Sequence, residues 1–167
     1  MTEAQNTSPH YRIVDDFDDY ATVRAHVIEH WGEDAIIIGG KIHRTDEMKV
    51  KAALGEDDRL MGMVCYRFEN TLALLGVTIV LDSGHGIGAA LFAAVIADAR
   101  ANKVRRLRAI TTNDNFGAMR FYQRQGLRFM TLFAGGTDAF RAFRPGLRVM
   151  GQHGIPCRDV IELEIDL

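Results

Sequence analysis

The sequence has little of what marks the specialised classes of protein chain. Of its 167 residues only 2 are cysteine, Cys65 and Cys157. They lie far apart and outside any C-x-x-C pair, which argues against a disulfide scaffold and against a structural zinc site. Proline occurs 3 times, and no Pro-, Ser- or Gly-rich linker or internal repeat divides the chain. The longest nearly unbroken apolar run, Leu72 to Leu81, is about ten residues, roughly half of what a membrane-spanning helix needs. The opening MTEAQNTSPH has neither a basic start nor an apolar stretch, so it does not read as a secretory signal. These absences predict a flexible polar tail over 1–10, one domain over 11–167, no membrane partner, and a reducing, cytoplasmic location.

What is present is ordinary globular material: 47% hydrophobic and 25% charged residues with 16 glycines, enough to bury a core. The net charge of −2 conceals an asymmetry, since residues 1–83 carry 8 basic and 15 acidic side chains and residues 84–167 carry 12 and 7. A polyanion, if one binds, is therefore expected on the second half, although a solvated helix face gives the same pattern. Nucleic acid is not the expected polyanion. The arginines are spread singly and lack interleaved exposed aromatics.

Along the chain, Tyr11 to Val14 is a short apolar start, and the acidic group Asp15, Asp16, Asp18 and Asp19 precedes the helical spacing of Tyr20, Val23, Val27 and Ile28. Val50–Leu54, Leu60–Phe68 and Thr71–Val80 read as a three-strand antiparallel meander with turns at 55–58 and 69–70. In SGHGIGAALFAAVIADARANK the residues Ile87, Ala90, Leu91, Ala94 and Val95 recur at helical spacing behind the glycines. A strand follows over Arg106–Thr111, a helix over Asn115–Gln125 ending at Gly126, and a strand over Leu127–Phe133. The stretch 134–158 is irregular, with a short helix expected near Thr137 to Phe143, and Val160–Ile165 is a last strand. This order predicts a mixed α/β sheet.

Gly84, Gly86 and Gly88 leave the backbone bare where a strand turns into a helix. The first N–H groups of that helix have no internal partner and lie at the positive end of its dipole, a setting that suits a phosphate. A structural turn is the competing reading. Gly84, Gly86 and Ala89 also match the spacing of a dinucleotide-binding loop, but about 20 residues on the chain reads Lys103-Val104-Arg105-Arg106, without the acid that would hold a ribose.

A second motif decides between these readings. TTNDNFGAMRFYQRQGLRF places Asn115, Ala118, Phe121 and Tyr122 in the pattern N-x-x-A-x-x-F-Y ahead of Gly126. Together with the glycine loop it resembles the two central motifs of the GNAT superfamily of acetyl-CoA-dependent N-acetyltransferases, over about residues 60–133. The tail GQHGIPCRDVIELEIDL is similar to that of a bacterial subgroup labelled indoleacetate acetyltransferase-like. The resemblance implies a GNAT-type mixed, mostly antiparallel central sheet flanked by helices. It also implies acetyl-CoA as co-substrate without a metal, a small-molecule or peptide amine as acceptor, and a homodimer as a common assembly of the family.

Residue by residue, the coenzyme A pyrophosphate loop maps to Ser83, Gly84, His85, Gly86, Ile87 and Gly88, with Ser83 standing where the family usually has Gln or Arg. Arg120 and Arg124 are candidate helpers or simply a solvated face, and His85 faces either phosphate or solvent. The strand Gly76–Val80, through the main chain of Thr78, Ile79 and Val80, would pair with the pantetheine arm and supply an N–H to the thioester carbonyl. Asn115 either bonds that arm or caps its helix. Phe121 reads as core. Tyr122 is the expected general acid toward the departing thiolate, against the alternative of a second core aromatic. The family's usual strand carboxylate is missing, since no acid lies between Asn70 and Leu81. Glu69, His43, a water relay or an already neutral amine remain as proton acceptors. Trp31, His43 and Phe140 are candidates for the acceptor pocket. Loss of both the base and the leading Gln or Arg also fits a non-catalytic acyl-CoA-binding module, and an NAD(P)-binding oxidoreductase is the remaining alternative.

Overall fold

The computed structural model describes residues 10–38 and 40–167, so the expected polar tail lies, His10 apart, outside the described residues. Strand β1 (Tyr11–Val14) leads into helix α1 (Tyr20–Trp31). Asp19 starts that helix by accepting the Thr22 N–H at 3.1 Å and the Thr22 hydroxyl at 2.6 Å, as the acidic run predicts. Two short strands, β2 (Ile36–Ile38) and β3 (Lys41–His43), pair as a hairpin. The sequence pattern announces neither, because three residues are too few to show a period. The meander follows as β4 (Lys49–Gly55), β5 (Leu60–Glu69) and β6 (Leu72–Val80). The rest of the chain gives α2 (Ile87–Ala101), β7 (Arg106–Thr112), α3 (Phe116–Arg124), β8 (Arg128–Phe133), a short α4 (Gly136–Arg141) and β9 (Val160–Asp166).

Seven strands form one sheet in the order β1-β4-β5-β6-β7-β9-β8. Its one parallel pair is β6 with β7, joined by the α2 crossover, and every other pair is antiparallel. The sheet is thus mixed and mostly antiparallel, as the resemblance implies. Alternation along β5 divides the interior in two. Val64 and Tyr66 join Leu75, Ile87, Leu91, Val95, Leu107 and Tyr122 beneath α2 and α3. Met63 and Cys65 join Val23, Val27, Ile36, Ile38 and Leu74 beneath α1 and the hairpin. Both cysteines are free and buried.

The start of α2 is pressed hard against the sheet. A Cβ added at Gly62 would stand 2.7 Å from Ile87 Cγ2 and 3.0 Å from the Ile79 carbonyl oxygen. Gly62→Ala should therefore destabilise the fold by about 1–3 kcal/mol through overpacking, read as a lower urea midpoint with unchanged slope.

His43, the last residue of β3 and 4% exposed, has Arg67 Nη1 at 2.9 Å from its Nδ1 and Glu47 Oε2 at 3.7 Å. An Arg can only donate, so Nδ1 accepts and the ring is neutral with its proton on Nε2. Burial first, and then Arg67, push the imidazole below its ordinary 6.5, against smaller opposing effects of Glu69 and Glu47. The unfolded chain thus takes up this proton before the folded one does. The contribution is fully present above pH 6.5 and is lost as the pH falls from there toward the folded-state value. Wild-type stability should drop between pH 7 and 5.5 by denaturant titration, and His43→Asn should flatten that part of the profile.

Candidate active site

Parallel pairing of β6 with β7 runs from Leu72–Leu75 against Arg106–Ala109 and then stops, although both strands continue. The local cause is Gly76. Opposite Cys65 and Tyr66 stand Val77 and Leu75, so Gly76 is the extra residue of a bulge, a device that bends a strand and sharpens its twist. Glycine is also required there by packing, since a Cβ would lie 2.5 Å from Ile36 Cγ2. Beyond it β6 stays with β5 as far as Val80 opposite Gly62, while β7 stays with β9 as far as Thr112 opposite Val160. The sheet opens into a V. Main-chain groups of Gly76–Val80 on the open side have no strand partner.

At the mouth of the V the loop 81–86 turns β6 into α2. Gly84 and Gly86 adopt φ of +92° and +72° with open space where a Cβ would sit. The first helical bond is Ala90 N–H to Gly86 O at 3.0 Å, which leaves the N–H groups of Ile87, Gly88 and Ala89 without helix partners. This turn faces α3 across a cleft with about 650 Å³ of room, walled by Val80, Ser83, Gly84, Gly86, Ile87 and Gly88 on one side. On the other side stand Arg120 and Arg124, neither of which has an ion-pair partner among the described residues. His85 turns away from the cleft, its Nε2 3.4 Å from Asp82 Oδ1.

Helix α3 serves two spaces because its faces repeat at helical spacing. Gly117, Arg120, Phe121 and Arg124 look into the cleft. Ala118 and Tyr122, four apart, look into an inner cavity of about 80 Å³ inside the V. Asn115 caps the helix, its Oδ1 accepting the Ala118 N–H at 3.0 Å, and also lines that cavity. Gly76, Val77 and Thr78 form one wall and Ile110, Thr111 and Thr112 the other. The Ile79 side chain, 2% exposed, belongs to the core beneath α1. Ile79 therefore meets the gap only through its main chain.

Tyr122 is 3% exposed. Burial pushes its phenol up to about 12, and contact with the Thr78 side chain offsets part of that rise. At neutral pH the phenol keeps its proton and is a donor.

The far end of the cavity is closed by the irregular segment after α4. Trp31 and His30 from the end of α1 meet Leu147, Arg148, Gln152 and Cys157 there, with Thr137 from α4. Gly32 lets the two segments touch, because a Cβ on it would overlap the Gly146 carbonyl oxygen at 2.0 Å. Of the expected acceptor-side residues Trp31 lines the cavity, whereas His43 and Phe140 do not, nor does Glu69. Glu69 instead lies 3.5 Å from Arg67 Nε. Cys157 is buried and its thiol is pushed up by that burial and then by Asp114, so it stays protonated.

Sequence reading missed Thr112, Asp114, Thr137, Gln152 and Cys157 as cavity residues. Asp114 resembles turn material beside a helix cap, and the others lie where the chain shows no period. One weak signal is available in Gly151. A Cβ there would stand 2.2 Å from Asp114 Oδ2, so this glycine records the close approach of a loop to a carboxylate.

A glycine-lined cleft flanked by unpaired arginines, opening into a parted sheet with a buried phenol, suits an elongated anionic ligand with an extended arm. Comparisons with known proteins agree with that geometry. An uncharacterised protein of Bacillus subtilis (strain 168), YxbD, is 30% identical over 146 residues, covering 87% of this chain and 91% of its own length. Among solved structures, a GNAT family acetyltransferase from Elizabethkingia anophelis with acetyl-CoA bound superposes with a TM-score of 0.71 at 17% identity, covering 96% of this chain and 100% of the other. The IAA acetyltransferase from Bacillus cereus ATCC 14579 superposes with a TM-score of 0.64 at 19% identity, covering 73% and 79%. These two show a shared fold. The acetyltransferase (GNAT) family itself is matched over residues 10–127, a span that holds the parted strands, the glycine turn and Tyr122, and the chain belongs to that family.

Proposed function

We propose that this protein transfers an acetyl group from acetyl-CoA directly to an amine. The observation that carries the reading is the parting of β6 from β7 with a glycine turn at its mouth and Tyr122 inside it. Acetyl-CoA, when bound, supplies an activated thioester and a pyrophosphate; the protein's task is to hold both ends and manage charge and protons. Main-chain N–H groups from Gly84 to Gly88 cradle the pyrophosphate, and His85 contributes its N–H rather than its ring. Ser83 offers only a hydroxyl where the family resemblance implies a longer side chain. Arg120 and Arg124 across the cleft provide the missing positive charge.

Unpaired main-chain groups of Thr78, Ile79 and Val80 take the place that a further strand would occupy and hold the pantetheine arm in extended form. Asn115 has its Oδ1 committed to the helix cap, which leaves its Nδ2 hydrogens for that arm. One N–H of this strand, aimed at the thioester carbonyl, stabilises negative charge on that oxygen as the amine adds. Tyr122 donates its hydrogen bond to the sulfur as the C–S bond breaks. Cys157, held as a thiol, is unsuited to attack, which favours direct transfer over an acyl-cysteine route. The cavity-lining groups that could replace the missing strand carboxylate are Asp114 and His30; Asp114 is committed to the Thr112 hydroxyl and the Gln152 N–H and His30 has its Nδ1 3.1 Å from the His26 carbonyl oxygen, so the amine's proton leaves by water or before binding.

Isothermal titration tests the first step. Acetyl-CoA should bind at micromolar concentration or tighter, and NAD(P)H should not. Arg120→Ala and Arg124→Ala should each weaken acetyl-CoA roughly threefold to tenfold, with a loss that shrinks as salt rises. With acetyl-CoA saturating, Tyr122→Phe should lower kcat on the order of 10²- to 10⁴-fold where chemistry limits the rate. Undiminished turnover in that variant would remove Tyr122 from the mechanism. Tight binding without transfer to any amine would mark a non-catalytic acyl-CoA module.

A further inference from the structure

Acetyl transfer as described gives no task to the most unusual charge in the cavity. Asp114 is 3% exposed and lines the same space as Tyr122. Its oxygens accept from neutral donors, the Thr112 hydroxyl at 2.6 Å and the Gln152 N–H at 2.8 Å, together with its own N–H and the Cys157 thiol. Those bonds hold its acid below the usual carboxylate range although burial pulls the other way, so it is an anion at neutral pH. No cationic side chain pairs with it among the described residues. Arg148 lines the cavity without coming within ion-pair distance. A buried anion satisfied only by neutral partners is a costly arrangement that a cation from outside would relieve.

A second polar atom points the same way. Thr137, a cavity-lining residue 3% exposed, has a buried hydroxyl without a well-formed hydrogen bond, and the Cys157 thiol is a polar neighbour of it. Around these two acceptors the walls are apolar, with Trp31, Ile110 and Leu147. An ammonium on a short carbon chain matches that combination, and about 80 Å³ admits a handful of heavy atoms rather than a bulky group.

The identity of the held nitrogen follows from charge. The nitrogen that attacks the thioester must be neutral when it does so and is neutral again as an amide, so it cannot compensate Asp114 through the reaction. We propose that the acceptor is an amine carrying a second, non-reacting cationic group, and that Asp114, assisted by Thr137, holds that group while the other nitrogen reaches the thioester beside Tyr122. The two ends are separated along α3. From its cap at Asn115 to Tyr122 the helix rises roughly 10 Å, and the Tyr122 side chain leans back toward the cap, so the gap to be bridged is shorter than that rise and within reach of a short diamine. This inference rests on the acetyl-transfer reading, and Asp114 acts in it as a specificity-determining residue.

The test is isothermal titration into protein saturated with CoA, using 1,4-diaminobutane and 1,6-diaminohexane against n-butylamine and n-hexylamine. At least one diamine should bind wild type tenfold or more tighter than the monoamine of equal length. Asp114→Asn and Thr137→Val should each reduce that preference, with melting temperature reporting whether each variant is folded. Equal binding of mono- and diamines to wild type, no binding by either diamine, or a folded Asp114→Asn that keeps the preference would each overturn the inference. The wild-type comparison needs no variant, so it decides the matter even where Asp114→Asn misfolds. The CoA titration is run first and separates the two claims. Failure to bind CoA strikes the acetyl-transfer reading and this inference with it, whereas CoA binding without a diamine preference strikes this inference alone.

Discussion

Everything functional in this molecule depends on four residues of parallel pairing being followed by none. Between Leu75 and Gly76 the ladder to β7 ends, and a sheet interior is a place where unpaired main-chain groups are normally not tolerated. The fold accepts the opening because each half of the sheet is held from its other side, β6 by β5 and β7 by β9. Both faces are also packed, one by α2 and α3 and the other by α1 and the β2–β3 hairpin. Gly76 couples these facts. As the bulge residue it bends β6, and as a residue without Cβ it lets Ile36 of the hairpin lie directly over the bend.

Charge in the second half of the chain is organised around that opening. Some of the arginines there are held in structure: Arg106 and Arg108 bind Glu164 on the neighbouring β9, Arg141 pairs with Asp138 while donating to the Leu147 and Cys157 carbonyls, and Arg144 pairs with Glu33. What remains unpaired at the cleft is Arg120 and Arg124, four residues apart on α3. The basic excess seen along the sequence is therefore only partly local pairing, and Arg120 and Arg124 are the part of it that lines the cleft beside the glycine turn. The opposite charge lies beside the other arm of the V, just past the end of β7 at Thr112, where Asp114 is buried. A ligand that is anionic at one end and a co-ligand that is cationic at the other fit this polarity.

The sequence reveals the site unevenly, and the reason lies in the type of contact. Local chemistry is legible. The Asp15–Asp19 acidic run, the helical spacing after Gly86, the N-x-x-A-x-x-F-Y pattern and the short apolar segments of β4, β5 and β6 between their turns each encode their structure within a few residues, so the sheet, the helices and the turn at the mouth of the V can be placed in advance. The inner wall is not legible. Thr112, Asp114, Thr137, Gln152 and Cys157 are brought together by contacts across tens of residues, through a segment with no period of its own. His43 and Glu69 show the opposite error. Their chemistry suits a proton acceptor, but β3 and the end of β5 carry them to the closed end of the sheet, where Arg67 occupies them.

The protonation state of Tyr122 bears on what a buried phenol can do for a leaving thiolate. In water a phenol near 10 and a thiol near 8.5 are mismatched, and a phenol at about 12 looks worse still as a proton donor. The comparison changes once the thiolate is placed in the same interior. Cys65 shows what this protein does to a thiol: burial, with a smaller push from Asp34, raises it to about 12. A sulfur anion appearing beside Tyr122 meets desolvation of the same kind, as the upward shift of the cavity-lining Cys157 thiol shows, so its basicity rises toward that of the phenolate. The two groups approach parity only when the site is dry, and proton sharing between acids of matched strength is where a donated hydrogen bond helps most. Closure of the cavity by Trp31 and Leu147, together with the arm of the donor filling the V, would then be as much a part of the acid catalysis as the hydroxyl itself.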